Sequence, residues 1–182
     1  MAFPAGMLKY RYNLQKQVAG SASASGEVPV SWQTEATFWG GREFDKHIDE
    51  QRIAEHMMSQ ESELVKARFH TGVTTEKRLL RRRDASTITA GINASVTTIA
   101  IASALRFDGQ NLDYLLIDSE IVRVTAGSSG TTLTVERGAL GTTAATHSIN
   151  AVCVRVEKLE IIAVERADER EDELVLRVKR NG

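Results

Sequence analysis

The sequence predicts a mainly β protein: a small β-barrel domain with one helical or long-loop excursion, interrupted by an inserted all-β domain. Two observations carry this. Apolar and polar residues alternate over most of the chain with a period of two, the signature of strands that bury one face. Composition also breaks near Asp84 and reverts near Val154. Residues 85–153 hold three Arg, no Lys and five acids in a background of Ala, Thr, Ser and Gly, whereas the flanks hold 20 of the 23 basic and 19 of the 24 acidic residues. The expected organisation is a host domain of residues 1–84 plus 154–182 and a guest domain of residues 85–153.

In the first flank, Leu8, Tyr10, Tyr12 and Leu14 alternate with Lys9, Arg11, Asn13 and Gln15, giving a strand. The stretch AGSASASGEVP is turn material, and Val30, Trp32, Ala36 and Phe38 then resume alternate spacing as the second arm of a long hairpin. Gly40 and Gly41 are expected to end that arm. The segment Arg42 to Ser62 favours helix, but Phe44 and Ile48 fall opposite Ile53 and Met57 on a helical wheel. It reads as a partly helical excursion touching two surfaces or a neighbouring subunit. Val65, Ala67 and Phe69 form a third strand, and TGVTTEKRLLRRR turns into a fourth. Beyond the guest, Val152, Val154 and Val156 alternate, KLEIIAVE extends that strand, ADERED is a charged turn, and ELVLRVKR closes the host as its last strand. Within the guest, TTIAIA, DYLLID, EIVRVT and TTLTVE are four β-rich runs separated by Gly, Asn and Ser turns.

Several function classes find no support. A net charge of −1 gives no global attraction to nucleic acid or anionic membrane. The single cysteine, Cys153, allows no internal disulfide and fits a reducing compartment. No signal peptide is evident in MAFPAGMLKY, and the weakly polar stretch Ile88 to Leu105 is too rich in Ser and Thr for a membrane span. His47, His56, His70 and His147 lack metal-ligand spacing and read as surface or packing residues. Asp108, Asp113, Asp118 and Glu120 are oxygen donors of the kind that bind calcium, but Asp118, Ser119 and Glu120 sit between two strand-like runs and read as a turn. Ser128 and Ser129 lie in loop composition, Cys153 in an apolar run, and no phosphate loop, dinucleotide or nucleophile motif is present. No enzyme activity, cofactor or metal is expected.

Two charged segments stand out. Lys77, Arg78, Arg81, Arg82 and Arg83 form a basic cluster suited to DNA phosphate or to acidic residues on a protein partner. The protein partner is preferred, because no aromatic residues accompany the cluster to stack bases; a solvated strand end explains the same charges. The excursion carries six acids and three bases between Arg42 and Ser62. Arg42, Glu43, Phe44, Asp45, Asp49, Glu50, Glu55 and Met57 are its candidate contact residues; in a subunit ring around DNA, of the kind implied by the family resemblance given next, they would face the channel and build a negative collar that repels DNA and lets it slide. A solvated helix face is the plainer alternative.

The host segments LKYRYNLQKQV, VSWQTEATFWGGREF, VKARFHTGVTTEKRLLRR and LEIIAVERADEREDELVLRVKR resemble, in that order, the head-tail joining (head-closure, or stopper) family of long-tailed phages. The shared features are a basic first strand ending in Gln, a Trp in the second, and a Gly-Arg-Glu step opening the excursion. A Gly-Val-Thr turn follows the basic third strand, and a charged turn precedes the terminal LVL strand. The family begins near Leu8, so residues 1–6 look like an extension and Met7 like an alternative start. The guest's LLIDSEIVRVT and TTLTVERGALGTTAATHS resemble a small β-module found within various phage virion proteins. The resemblance implies a homo-oligomeric ring in the virion neck, assembled in the host cytoplasm, without membrane. Such a ring sits between the portal or adaptor ring and the tail or tail-terminator proteins. It surrounds packaged DNA without sequence specificity, closes the channel and offers a docking surface to the tail. A tail-completion or baseplate component is an alternative, as is a carbohydrate-binding or adhesion module built on the guest, which offers only Phe107 and Tyr114 as aromatic platforms.

Overall fold

The computed structural model describes residues 6, 8–21, 26, 28, 30–43, 62–107, 113–168 and 172–180. Its strands are β1 (Tyr10–Ala19), β2 (Val30–Glu43), β3 (Ser62–Ala67), β4 (Arg78–Thr87), β5 (Thr98–Ala100), β6 (Tyr114–Ile117), β7 (Glu120–Ala126), β8 (Thr132–Glu136), β9 (Val152–Asp168) and β10 (Glu173–Arg180). They make one sheet in the order β10-β3-β2-β1-β4-β9-β6-β7-β8-β5. β10 also pairs with β9, so hydrogen bonds run in a closed ring through β10, β3, β2, β1, β4 and β9. The protein is mainly β, and the six strands of that ring are those read from the two flanks. The excursion expected from Arg42 to Ser62 lies, from Phe44 to Glu61, outside the described residues.

One expectation is corrected. Gly40 and Gly41 do not end the second strand: β2 runs through them to Glu43, with Gly40 opposite Ala67 and Arg42 opposite Val65. The physical reason is a close approach. A Cβ on Gly40 would stand 2.9 Å from the Tyr12 ring and 3.1 Å from the Lys66 carbonyl oxygen, so glycine lets the Tyr12 ring lie on the β2 backbone.

By contacts the chain divides into two compact units, one of Met1–Lys16, Thr34–Arg81 and Lys158–Asn181, the other of Gln17–Gln33 and Arg82–Glu157 with Gly182. The sheet passes through both, because β1, β2, β4 and β9 each contribute residues to the two of them. In the first unit Tyr12, Leu14, Val65, Ala67, Leu79, Leu159, Ile161, Leu174, Leu176 and Val178 form one buried cluster. Along β10, Leu174, Leu176 and Val178 point inward at alternate positions, as strand geometry requires. β9 departs from that regularity twice. Ile161 and Ala163 oppose Val178 and Arg177, and Val164 and Arg166 oppose Leu176 and Val175, so Ile162 and Glu165 are extra residues of two β-bulges.

In the second unit Ile88, Ile92, Ile99, Ile101, Leu115, Ile117, Val122, Leu133, Val135 and Cys153 belong to a separate buried cluster, drawn wholly from residues 88–153. The free side of β5 is met by the bridge Ile88–Ile101 and by bonds from Thr89 N to Ala100 O and Ala102 N to Thr87 O, 2.9 and 2.8 Å long. Residues 17–33 join this unit, where a Cβ on Gly141 would come within 3.1 Å of the Trp32 ring. No helix among the described residues is long and apolar enough to cross a membrane.

Candidate functional site

Three arrangements of polar and aromatic side chains stand out, and the predicted basic cluster takes part in the first. In the first unit, β4 carries Lys77's neighbour Arg78 and Arg81 into the body of the sheet. Arg78 is buried and its Nε donates to Gln15 Oε1 on β1 at 2.9 Å. Arg81, 3% exposed, pairs with the equally hidden Glu63 on β3, and its guanidinium carbon stands 5.6 Å from the centre of the Tyr10 ring. Glu63 also pairs with Arg42 of β2, so one carboxylate joins two arginines from two strands. Lys77 pairs with Glu35 and donates to the Gly72 carbonyl at 2.6 Å. The Glu35 carboxyl is held below the usual range chiefly by its bond to Lys77, against a smaller effect of burial and with help from Lys16.

Of the residues expected to face a channel, Arg42 therefore lies on β2 in an ion pair, and Glu43 is the last residue of that strand. Phe44, Asp45, Asp49, Glu50, Glu55 and Met57 lie outside the described residues. Arg78, Arg81, Arg82 and Arg83 of the basic cluster share strand β4. Arg82 and Arg83 belong to the second unit, where Arg83 Nε donates to Glu157 Oε1 at 3.0 Å. Buried Arg155 stands 3.6 Å from Glu157 and 3.8 Å from Asp113.

The second arrangement is in that unit, at the turn between β6 and β7. Asp118 takes positive φ, 51°, and Glu120 opens β7 with no exposure at all. That corrects the reading of Glu120 as a turn residue; the turn is Asp118 and Ser119, and the next carboxylate points inward. It accepts five hydrogen bonds, from Arg137 Nε and Nη2 at 2.8 Å each, Gly138 N at 3.0 Å, Ala145 N at 2.9 Å and His147 Nε2 at 2.8 Å. Burial alone would raise its pKa, but the bonds from Arg137, Ala145, His147 and Gly138 outweigh it and bring it down to about 2. Arg137 also donates to the carbonyls of Asn93, Val96 and Ala145, at 2.7, 2.8 and 2.6 Å. His147 spans two carboxylates, with Nδ1 2.8 Å from Asp118 and Nε2 on Glu120. This is an ionic clamp that fixes the 137–147 loop. Among the described residues no group of three or more His, Cys, Asp or Glu is arranged to hold a metal ion. Burial pushes the Cys153 thiol up, which disfavours the reactive thiolate.

The third arrangement is an open groove of about 380 Å³ in the first unit, lined by Leu8, Phe38, Trp39, Arg68, Phe69 and His70. Trp39 is 55% exposed, whereas Phe38 beside it packs inward against Tyr12 with ring centres 5.8 Å apart. The sequence held a signal for this groove: Trp32, Ala36 and Phe38 set the inward parity of β2, which leaves Trp39 facing out. Glu63 and His147, by contrast, had no such signal: a charged residue on a strand reads as solvated by default, and His147 lies outside every strand, in a segment without alternation. No family model, curated protein or solved structure matches this chain.

Proposed function

We propose that this protein is a structural component of a tailed-phage neck, a ring of subunits between the portal or adaptor and the tail that closes the DNA channel after packaging and receives the tail. The reading rests on one observation. The four sequence segments that resemble the head-closure family supply the six strands whose hydrogen bonds close on one another around a core of their own, while residues 88–153 supply a separate core. A host sequence that keeps its strands and its core around a large insert is what an assembly protein with an appended module requires. The dense internal pairing of Arg42, Glu63, Arg78 and Arg81 suits a rigid subunit acting by shape and contact. In this reading the segment 44–60 closes the channel, and its acidic residues keep DNA from adhering to it.

Complementation of heads lacking this protein tests the proposal. Wild-type protein should bind portal–adaptor assemblies and yield heads that retain DNA and accept tails. A variant with residues 44–60 replaced by a short Gly-Ser linker should still bind but give heads that leak. Failure of the wild-type protein to enter any portal–adaptor or tail complex removes the neck reading, and normal genome retention by the variant removes the gate.

A further inference from the structure

We propose that the outer face of β9 in one copy of this chain, centred on Ile162, seats in the Trp39 groove of a second copy, so that subunits join head to tail. The proposal rests on the ring reading above and deepens it by naming the contact between neighbours. The groove offers an exposed indole backed by Leu8 and Phe69, with cationic or polar Arg68 and His70 on its rim. Arg68 is loosely held: its side chain is 60% exposed and its ion pair with Asp172 spans 3.9 Å. A guanidinium in that state retains its fork of donors for a carboxylate.

The complementary surface is on the same unit. Ile162 is 46% exposed, an apolar side chain that shares the outward face of β9 with Glu160, opposite to buried Leu159 and Ile161. Glu160 precedes it and Glu165, the extra residue of the second bulge, follows it, with exposed side chains at 49% and 39%. Their own partners are Lys158 at 3.8 Å and Arg177 at 2.6 Å. An apolar knob between two carboxylates thus matches an apolar groove beside an arginine, in shape class and in sign of charge.

Topology decides what such a match builds. In the closed order β10, β3, β2, β1, β4, β9, the strands β2 and β9 are three steps apart in either direction, so groove and knob lie on opposite sides of the ring of strands. Two unlike surfaces so placed make a heterologous contact, which leaves a free groove and a free knob on any pair and adds subunits until the rotation closes. Because these six strands pair on both sides, joining depends on side chains and not on addition of a strand to an open edge.

Sedimentation of the full-length protein over a concentration series tests this. Wild-type protein should self-associate, and Trp39→Asp and Ile162→Arg should each weaken association at least tenfold, with unchanged melting temperatures because both side chains are exposed. An equimolar mixture of the two variants should give a 1:1 pair that grows no further, one member keeping an intact knob and the other an intact groove. Combining Arg68→Glu with Glu160→Lys should restore association lost in either alone. A wild-type protein that stays monomeric throughout overturns the interface. So does association that both single variants leave intact, although a ring built on another surface then survives. Association through these residues by a protein that binds no portal–adaptor assembly upholds the interface and removes the neck reading.

Discussion

Five hydrogen bonds converge on the Glu120 carboxylate, and their effect on stability has a definite sign. Its pKa falls from 4.5 to about 2 on folding, so the stabilisation is complete above pH 4.5 and is lost as pH drops through that window toward 2. A shift of that size corresponds to a contribution on the order of 3 kcal/mol. Melting temperature should therefore fall steeply between pH 4.5 and 2, and Glu120→Gln should be destabilised at neutral pH yet show a flatter acid limb. Equal slopes for wild type and variant, followed by circular dichroism, would place the acid sensitivity elsewhere. Little of this was legible beforehand. The acids around 118–120 were visible as a group, but the arginine and histidine that complete the clamp come 17 and 27 residues later, and only tertiary folding brings them together.

Strands were the most legible level. The alternations in Leu8–Gln15, Val65–Phe69, Val152–Val156 and ELVLRVKR each fall on or within a residue or two of an observed strand, and each of the guest's four β-rich runs coincides with one to within a residue or two. Failures came where one residue type serves two purposes. Gly40 resembles a strand stop, yet it sits inside β2 to accommodate the Tyr12 ring. Gly40→Val should accordingly destabilise the protein by roughly 1–3 kcal/mol through overpacking, whereas the same change at Gly91, where a new Cβ would find its nearest backbone neighbours at 3.5 and 3.6 Å, should cost less. Chemical denaturation of both variants measures the difference. The run Ile161, Ile162, Ala163, Val164 broke period two without announcing why. Two bulges in β9 are the cause, and bulges depend on the partner strand as much as on the strand itself.

At the scale of the whole chain, one buried cluster uses residues 88–153 and the other uses none of them, while the division by contacts falls at Arg81/Arg82 and Glu157/Lys158. The cluster of the first unit should survive removal of the insert. Replacing residues 85–153 by Asn-Gly, a pair suited to a two-residue hairpin, should leave a soluble protein with one cooperative thermal transition. Loss of that transition would show that the first cluster cannot stand without the second. What composition did not reveal is that residues 17–33 count with the second unit, where Trp32 lies beside Gly141 in a segment about a hundred residues further on. That placement has an optical consequence. The chain has two tryptophans, and one falls in each unit: Trp39 largely bathed in water, Trp32 half-covered beside Gly141. The first emits as a solvated indole and the second at shorter wavelength, so replacing either by phenylalanine leaves a protein whose fluorescence follows the melting of a single unit, with no dye attached.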